Sequence, residues 1–298
     1  MMKEIIRKKL KEKNAILLAH NYQPPEIQDV ADMCGDSLEL SIRAGKTDAD
    51  IIVFCGVHFM AETASIVSPQ KKVLLPKLNA GCPMADMITP EQLAVKKQEL
   101  PDVPVVTYVN SPASVKALSD ICCTSANAIQ VVNSLSDNEV LMTPDKNLAQ
   151  YTARHTEKKV FFWEGYCPIH HNVTPEMLSN AKRKHPEAVV LAHPECQPEV
   201  LELADVVLST SGMLKHVAES NEKEFIIGTE SGLIYPLQKN HPDKQFYKAS
   251  DMFICPDMKR ISLDDIVNTL DNLSPEIRVP PDIQERARNA VERMIQIF

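Results

Sequence analysis

The sequence predicts an α/β protein of three αβα sandwich domains with small parallel sheets, related by a pseudo-threefold axis with the active site at that axis. Three observations carry this. Short apolar runs such as "AILLA", "IIVFC" and "VVLA" alternate with helical patterns, as expected of parallel βαβ units whose strands are covered on both faces. The chain repeats itself three times. Its 298 residues are long for one core and suit two or three domains.

The repeat is clearest at three cysteines followed by proline: Cys82-Pro83, Cys167-Pro168 and Cys255-Pro256, spaced 85 and 88 residues apart. The segments "ILLAHNYQPPEIQDVADMCGDS", "VVTYVNSPASVKALSDICCTS" and "VVLAHPECQPEVLELADVVLST" align on His20, Tyr108 and His193. Tyr22, Asn110 and Glu195 then coincide, as do Asp32, Asp120 and Asp205, and Ser37, Ser125 and Thr210. Each unit reads as an apolar strand, two polar residues separated by one spacer, a short helix ending near Asp, and a Ser or Thr. A strand, a helix, a last strand ("KKVLLP", "KKVFFW", "KQFYKA") and the Cys-Pro follow. The joints are marked by "TPEQL" at 89, "TPEML" at 174 and "SLDDI" at 262, each placing an N-cap Thr or Ser before a helix, with Pro first in two of them. The amphipathic "MMKEIIRKKLKEKN" fills the same slot in the first unit. The expected domains are 1–88 with the C-terminal helices of 262–298, then 89–173, then 174–261. The helices from Ser262 and Pro281 are expected to pack back onto the first.

Composition narrows the function classes. At 44% hydrophobic the chain can bury cores without staples, and no stretch approaches about 18 uninterrupted apolar residues. The N-terminus lacks the apolar run and cleavage site of a signal peptide, so the expected location is cytoplasmic. Net charge is −8 with no basic stripe, which argues against nucleic acid and requires local positive groups for any anionic substrate. There is no "GxGxxG" or "GxxxxGK", so no nucleotide loop is expected. Eight cysteines without a CxxC point to reduced thiols, metal ligation or catalysis rather than disulfides or zinc ribbons.

Polar groups at the C-terminal ends of parallel strands face a ligand crevice. Three units meeting at an axis would bring His20, Tyr108 and His193 together and converge Cys82, Cys167 and Cys255. Three thiolates suit a zinc ion with an open position, or a 4Fe-4S cluster with one iron free to bind substrate; the spacing does not choose. Three structural, proline-flanked cysteines are the third reading. By this logic His170 and His171 serve as capping or solvated residues as readily as site groups. Ser37, Ser125 and Thr210, each before a helical pattern, read either as N-caps or as anion sites. Glu195 breaks the symmetry of Tyr22 and Asn110, so Tyr22, Tyr108, His193 and Glu195 are the acid–base candidates, with Glu195 the base and Tyr22 a proton donor. Thr229 and Glu230 of "GTESG" are weaker contact candidates.

The motifs "AHNYQ", "GDSLEL", "FMAE", "CPMA", "YVNS", "TSANA", "PDKNLA", "WEGYCPIHH", "HPEC", "STSGM" and "GTESG" together resemble the quinolinate synthase family (type A, NadA) over essentially the whole chain. The resemblance implies three similar α/β domains around a central site and one 4Fe-4S cluster on Cys82, Cys167 and Cys255. It implies condensation of iminoaspartate with dihydroxyacetone phosphate to quinolinate, with loss of phosphate and water, in NAD biosynthesis. It implies substrate contacts at His20, Ser37, Tyr108, Val109, Asn110, Ser125, His193, Pro194, Glu195 and Thr210, and a mobile catalytic Tyr22. An iminoaspartate-producing enzyme is the implied functional partner; nucleic acid and membrane are not. Two features depart from the family pattern. "CPDMKR" lacks the CxxCxxC that some members carry, and Tyr166 stands where a smaller residue or a histidine is expected. The competing readings are another 4Fe-4S hydro-lyase, and a three-domain binding protein with a structural metal.

Overall fold

The computed structural model describes residues 2–297. Twelve strands form three separate four-stranded, all-parallel sheets. The first holds β1 (Ala15–His20), β2 (Met33–Gly35), β3 (Ile51–Cys55) and β4 (Lys72–Leu74) in the order β2-β1-β3-β4. The second repeats that order with β5 (Val105–Tyr108), β6 (Ile121–Cys123), β7 (Glu139–Thr143) and β8 (Lys159–Phe162), ordered β6-β5-β7-β8. The third does so again with β9 (Val189–Ala192), β10 (Val206–Val207), β11 (Glu224–Gly228) and β12 (Gln245–Lys248), ordered β10-β9-β11-β12. The central strands are the near-continuous apolar runs: every residue of β3 and β5 is buried, as helices on both faces require.

The recurring aspartate has a structural job. Asp32, Asp120 and Asp205 each use a side-chain oxygen to accept from the first central strand of their own sheet, at Leu17, Val105 and Val190, over 2.8, 2.7 and 2.8 Å. Their own amides return bonds to the carbonyls of the same three residues. The aspartate thus fixes where the second strand starts relative to the first. The joints also behave as the sequence reads. Thr89, Thr174 and Ser262 cap helices 90–99, 175–184 and 263–272, two of them in reciprocal capping boxes.

The C-terminal segment serves two units rather than the first alone. Helix 263–272 lies on helix 2–12, and the chain then pairs with β4 through Ile277 N–H to the Val73 carbonyl, 2.8 Å. Helix 281–296 lies across the joint between the first two units, against helix 58–67 on one side and β6 with helix 113–116 on the other. Gln284 donates to the Ser65 carbonyl in the first unit, and Asn127 of the second donates to the Met294 carbonyl.

In each sheet the chain leaves the first strand for one neighbour and returns to the other. The crevice at the C-terminal ends of β1 and β3, and of their counterparts, is the topological switch point where such sheets bind ligands. The three crevices face one another.

Candidate active site

The three crevices merge into one cavity of ≈ 250 Å³. Residues at and just after the C-terminal end of the first strand of each unit line it as two triplets: His20, Tyr108 and His193, then Tyr22, Asn110 and Glu195. Ser37, Ser125 and Thr210 line it too, and so do Cys82, Cys167 and Cys255. Two candidates stand apart. The Val109 side chain is buried in the core, and its amide is bonded to the Cys123 carbonyl at 2.9 Å. Pro194 lines a neighbouring cavity of ≈ 440 Å³, which shares only Asp36 and Ser125 with the first.

The hydroxyls are not spent on capping. Asp36 caps helix 37–46 in a capping box with Glu39, and Ser209 caps helix 210–219, so Ser37 and Thr210 occupy the first helical position. In the second unit Asn127 accepts from the Thr124 amide and Ser125 lies in the preceding turn. Capping by the residue before, or by the turn itself, leaves the three hydroxyls to line the cavity, although Thr210 Oγ1 also accepts from Asn21 Nδ2 at 3.1 Å.

The two histidines share one arrangement. His20 Nδ1 accepts from the Tyr22 amide at 3.1 Å and His193 Nδ1 from the Glu195 amide at 3.4 Å. A ring nitrogen that accepts carries no proton, so in both the proton sits on Nε2. Burial, reinforced by His193 and Lys259, holds His20 at a pKa of about 3, and burial holds His193 at about 3 despite Glu195. Both are therefore neutral donors near pH 7. His193 Nε2 meets Ser125 Oγ at 3.2 Å.

Glu195 is buried among its partners. Burial alone would raise its pKa, but His170 and His193, with hydrogen bonds from His170 and Tyr108, bring it down to about 2. The carboxylate is ionised at working pH. Burial and that carboxylate push the phenols of Tyr22 and Tyr108 well above their ordinary value, so both keep their protons. Asn110 points its amide nitrogen at Glu195 Oε1, 3.5 Å away. Its carbonyl oxygen is left buried without a partner, an acceptor for a ligand N–H or O–H.

A single hydrogen-bonded chain joins Tyr22 to Glu195. The Tyr22 hydroxyl lies 2.5 Å from Thr229 Oγ1, Thr229 Oγ1 lies 2.9 Å from His170 Nε2, and His170 Nδ1 lies 2.8 Å from Glu195 Oε2. An ionised Glu195 only accepts, which places a proton on His170 Nδ1. Thr229 Oγ1 can donate or accept on either side, so it can join the phenol to the imidazole. His170 is held in place by stacking on His193, with ring centroids 4.8 Å apart.

The cysteines are half-buried free thiols, one per unit. Burial raises Cys82 to about 12 and raises Cys167 and Cys255 as well. Among the described residues, the ligand atoms of Cys167, His170 and Glu195 lie within 4.8 Å of one another; the three cysteines do not form such a group. The 2.8 Å contact between His170 and Glu195 is hydrogen-bond distance, shorter than two ligands about a tetrahedral ion would stand.

Comparison with known proteins decides the family. The family model described as Quinolinate synthetase A protein matches residues 4–296. A quinolinate synthase of Geobacter sp. (strain M21) is 55% identical over 296 residues, covering 99% of this chain and 97% of the relative. Quinolinate synthase 1 of Methanosarcina acetivorans is 51% identical over 297 residues, with 100% and 97% covered. The chain belongs to the quinolinate synthase family.

Within this member of the family, the structure adds two residues that sequence reasoning undervalued. His170 is fully buried in the relay rather than capping or solvated, and Thr229 is its next link. The available signal was the spacing from Cys167, which puts His170 almost one helical turn beyond a cavity residue. The unexpected Tyr166 lies against His171 in a tilted ring contact, centroids 4.3 Å apart, beneath the Lys146 ammonium, and does not line the cavity. Among the described residues no helix is long and apolar enough to cross a membrane.

Proposed function

We propose that the chain is a quinolinate synthase that condenses iminoaspartate with dihydroxyacetone phosphate in the central cavity, yielding quinolinate, phosphate and two molecules of water. The atoms balance without an oxidant. The observation that carries this reading is one cavity, at the meeting of three repeats, that holds three thiols together with an ionised Glu195 wired to a protonated Tyr22.

Cys82, Cys167 and Cys255 would hold a 4Fe-4S cluster. One thiol from each unit lines the same cavity, the donor set that a three-thiolate cluster takes. When bound through three thiolates, the cluster leaves one iron as a Lewis acid for a substrate oxygen.

The chain's own groups supply binding and proton movement. The neutral Nε2–H groups of His20 and His193, with the hydroxyls of Ser37, Ser125 and Thr210, would take the carboxylates and the phosphate. Each donates without adding a buried charge. The Asn110 carbonyl would take a donor on the substrate nitrogen or hydroxyl. Glu195 is the base for the carbon proton lost during C–C bond formation. The relay offers a water-free route between it and Tyr22. Once Tyr22 has given its proton to the substrate and Glu195 has taken the carbon proton, the relay can return one proton from Glu195 through His170 and Thr229 to the phenol, which restores both groups. Burial, with Glu195 as a lesser cause, raises Tyr22, while His170 and His193 outweigh burial and lower Glu195.

The cytoplasm suits a chain whose eight cysteines are all unpaired. The imine substrate hydrolyses in water, so an enzyme that generates iminoaspartate is the expected functional partner. The test is anaerobic purification followed by iron, sulfide and zinc analysis. Quinolinate would then be assayed with dihydroxyacetone phosphate and iminoaspartate formed in situ from oxaloacetate and ammonia. About four irons and four sulfides per chain with quinolinate formation support the reading. Zinc in place of iron, or a loaded protein that makes no quinolinate, refutes it.

A further inference from the structure

The three units differ in how they hold their cysteines. The β-pairing makes Cys55, Thr143 and Gly228 equivalent, since they pair with Ala19, Thr107 and Ala192. Two residues later stand Val57, Asp145 and Glu230, each the N-cap of the helix that follows. In two units this residue is a buried carboxylate that reaches the cysteine loop. Asp145 Oδ2 accepts from the Cys167 amide at 3.0 Å, and Glu230 Oε1 accepts from the Cys255 amide at 3.2 Å. In the first unit Val57 offers no side-chain acceptor. Among the described residues the Cys82 amide has no hydrogen-bond acceptor, and Gly81 beside it has open space where a side chain would project.

We propose that Asp145 and Glu230 are positioning residues that preset Cys167 and Cys255 for the cluster, and that Cys82 is the ligand that engages last and releases first. This rests on the three-cysteine cluster reading above. Capping alone does not account for the carboxylates. Each uses its second oxygen for the helix: Asp145 Oδ1 for the Leu148 amide, Glu230 Oε2 for the Gly232 amide and the Lys259 ammonium. Helix 58–67 forms behind Val57 with no side-chain cap. All three cysteine loops share one backbone tie, from the His58, Lys146 and Ser231 amides to the Ala80, Gly165 and Phe253 carbonyls, each 2.8 Å, so the units differ at the cysteine amide and not at this bond. Beyond that shared tie, two ligand loops are also bonded to their sheets at the cysteine amide itself and one is not. A cluster docked on the two fixed thiols can then be closed over by the third.

Asp145→Asn and Glu230→Gln keep the shape and one carbonyl oxygen, so the cap can survive while one acceptor is lost. The first readout is amide hydrogen exchange in the cluster-free full-length protein. Wild type should exchange faster at Cys82 than at Cys167 or Cys255. D145N should speed Cys167 only, and E230Q should speed Cys255 only. The second readout is iron loss from the reconstituted protein to excess ferrous chelator. Each variant should lose iron about tenfold faster, the scale of one lost buried hydrogen-bond acceptor. Folded variants with wild-type exchange and wild-type iron loss overturn the proposal. If the variants do not fold, the wild-type order decides, and a Cys82 amide as protected as the other two overturns it. A wild-type protein that takes up no iron defeats the cluster reading and this proposal together.

Discussion

Thr229 is the residue whose removal says most about the site, because it touches both Tyr22 and His170 and nothing else joins them along the relay. Thr229→Val keeps the shape and deletes the bridging hydroxyl. Loss of a positioned proton path is expected to lower kcat by about 10²–10⁴-fold with iron content unchanged. Wild-type turnover in the valine variant would mean that Tyr22 and Glu195 do not exchange a proton through it. The two neutral histidines give a separate prediction. His20 and His193 bind protons at about 3 when folded, and at about 6.5 when unfolded. Between those values the unfolded chain holds more protons, so stability falls as pH falls, by about 1.4 kcal/mol per pH unit for each histidine. Their contribution is fully present above pH 6.5. Urea midpoints of cluster-free protein at pH 7.5, 6.5 and 5.5 should drop below pH 6.5, and His193→Gln should reduce that slope. An unchanged slope in the variant would mean that His193 is not held neutral by burial.

At the level of the element, the repeated aspartate shows what an alignment reveals and what it hides. Asp32, Asp120 and Asp205 were legible as a threefold set, but nothing in a sequence says that their carboxylates turn back to the first strand's amide. Asp205→Ala should cost about 1 kcal/mol, the worth of one part-exposed hydrogen bond, and lower the urea midpoint without changing the KM of the loaded enzyme. A shifted KM would instead place Asp205 in the site. Ser37 and Thr210 were legible for the same reason, yet their freedom from capping was not, because the cap moved one residue earlier, to Asp36 and Ser209. Val109 sits between two cavity residues, but alternation along an extended chain turns its side chain to the core. His170 was undervalued because its partners, Thr229 and Glu195, are remote in sequence and come from another unit. Short-range patterns report periodicity and caps well. They cannot report which loops from different sheets will meet.

For the whole molecule, the argument turns on how three near-equivalent units are kept at a fixed relation around one cavity. The sheets do not continue into one another, so the relation depends on side-chain contacts and on the C-terminal segment. Helix 281–296 buries Ala287, Ala290, Val291 and Met294 across the joint of the first two units, which carry Cys82 and Cys167. Met294 is fully buried and lies outside the cavity. Met294→Ala should therefore cost about 2–5 kcal/mol of stability, the range for emptying a core methionine site. Any effect on the site must travel through the joint. If the joint only adds stability, the variant loads iron normally and keeps wild-type kcat below its melting range. If the joint also sets the distance between the Cys82 and Cys167 loops, iron retention falls along with the melting temperature. We expect the second outcome, because Asn127 and Arg293 tie the same helix to the second unit through the Met294 and Asp120 carbonyls while Gln284 ties it to the first. Measuring chelator-driven iron loss at a temperature where the variant is fully folded separates the two. A loss rate equal to wild type would show that the joint holds the molecule together without tuning the site.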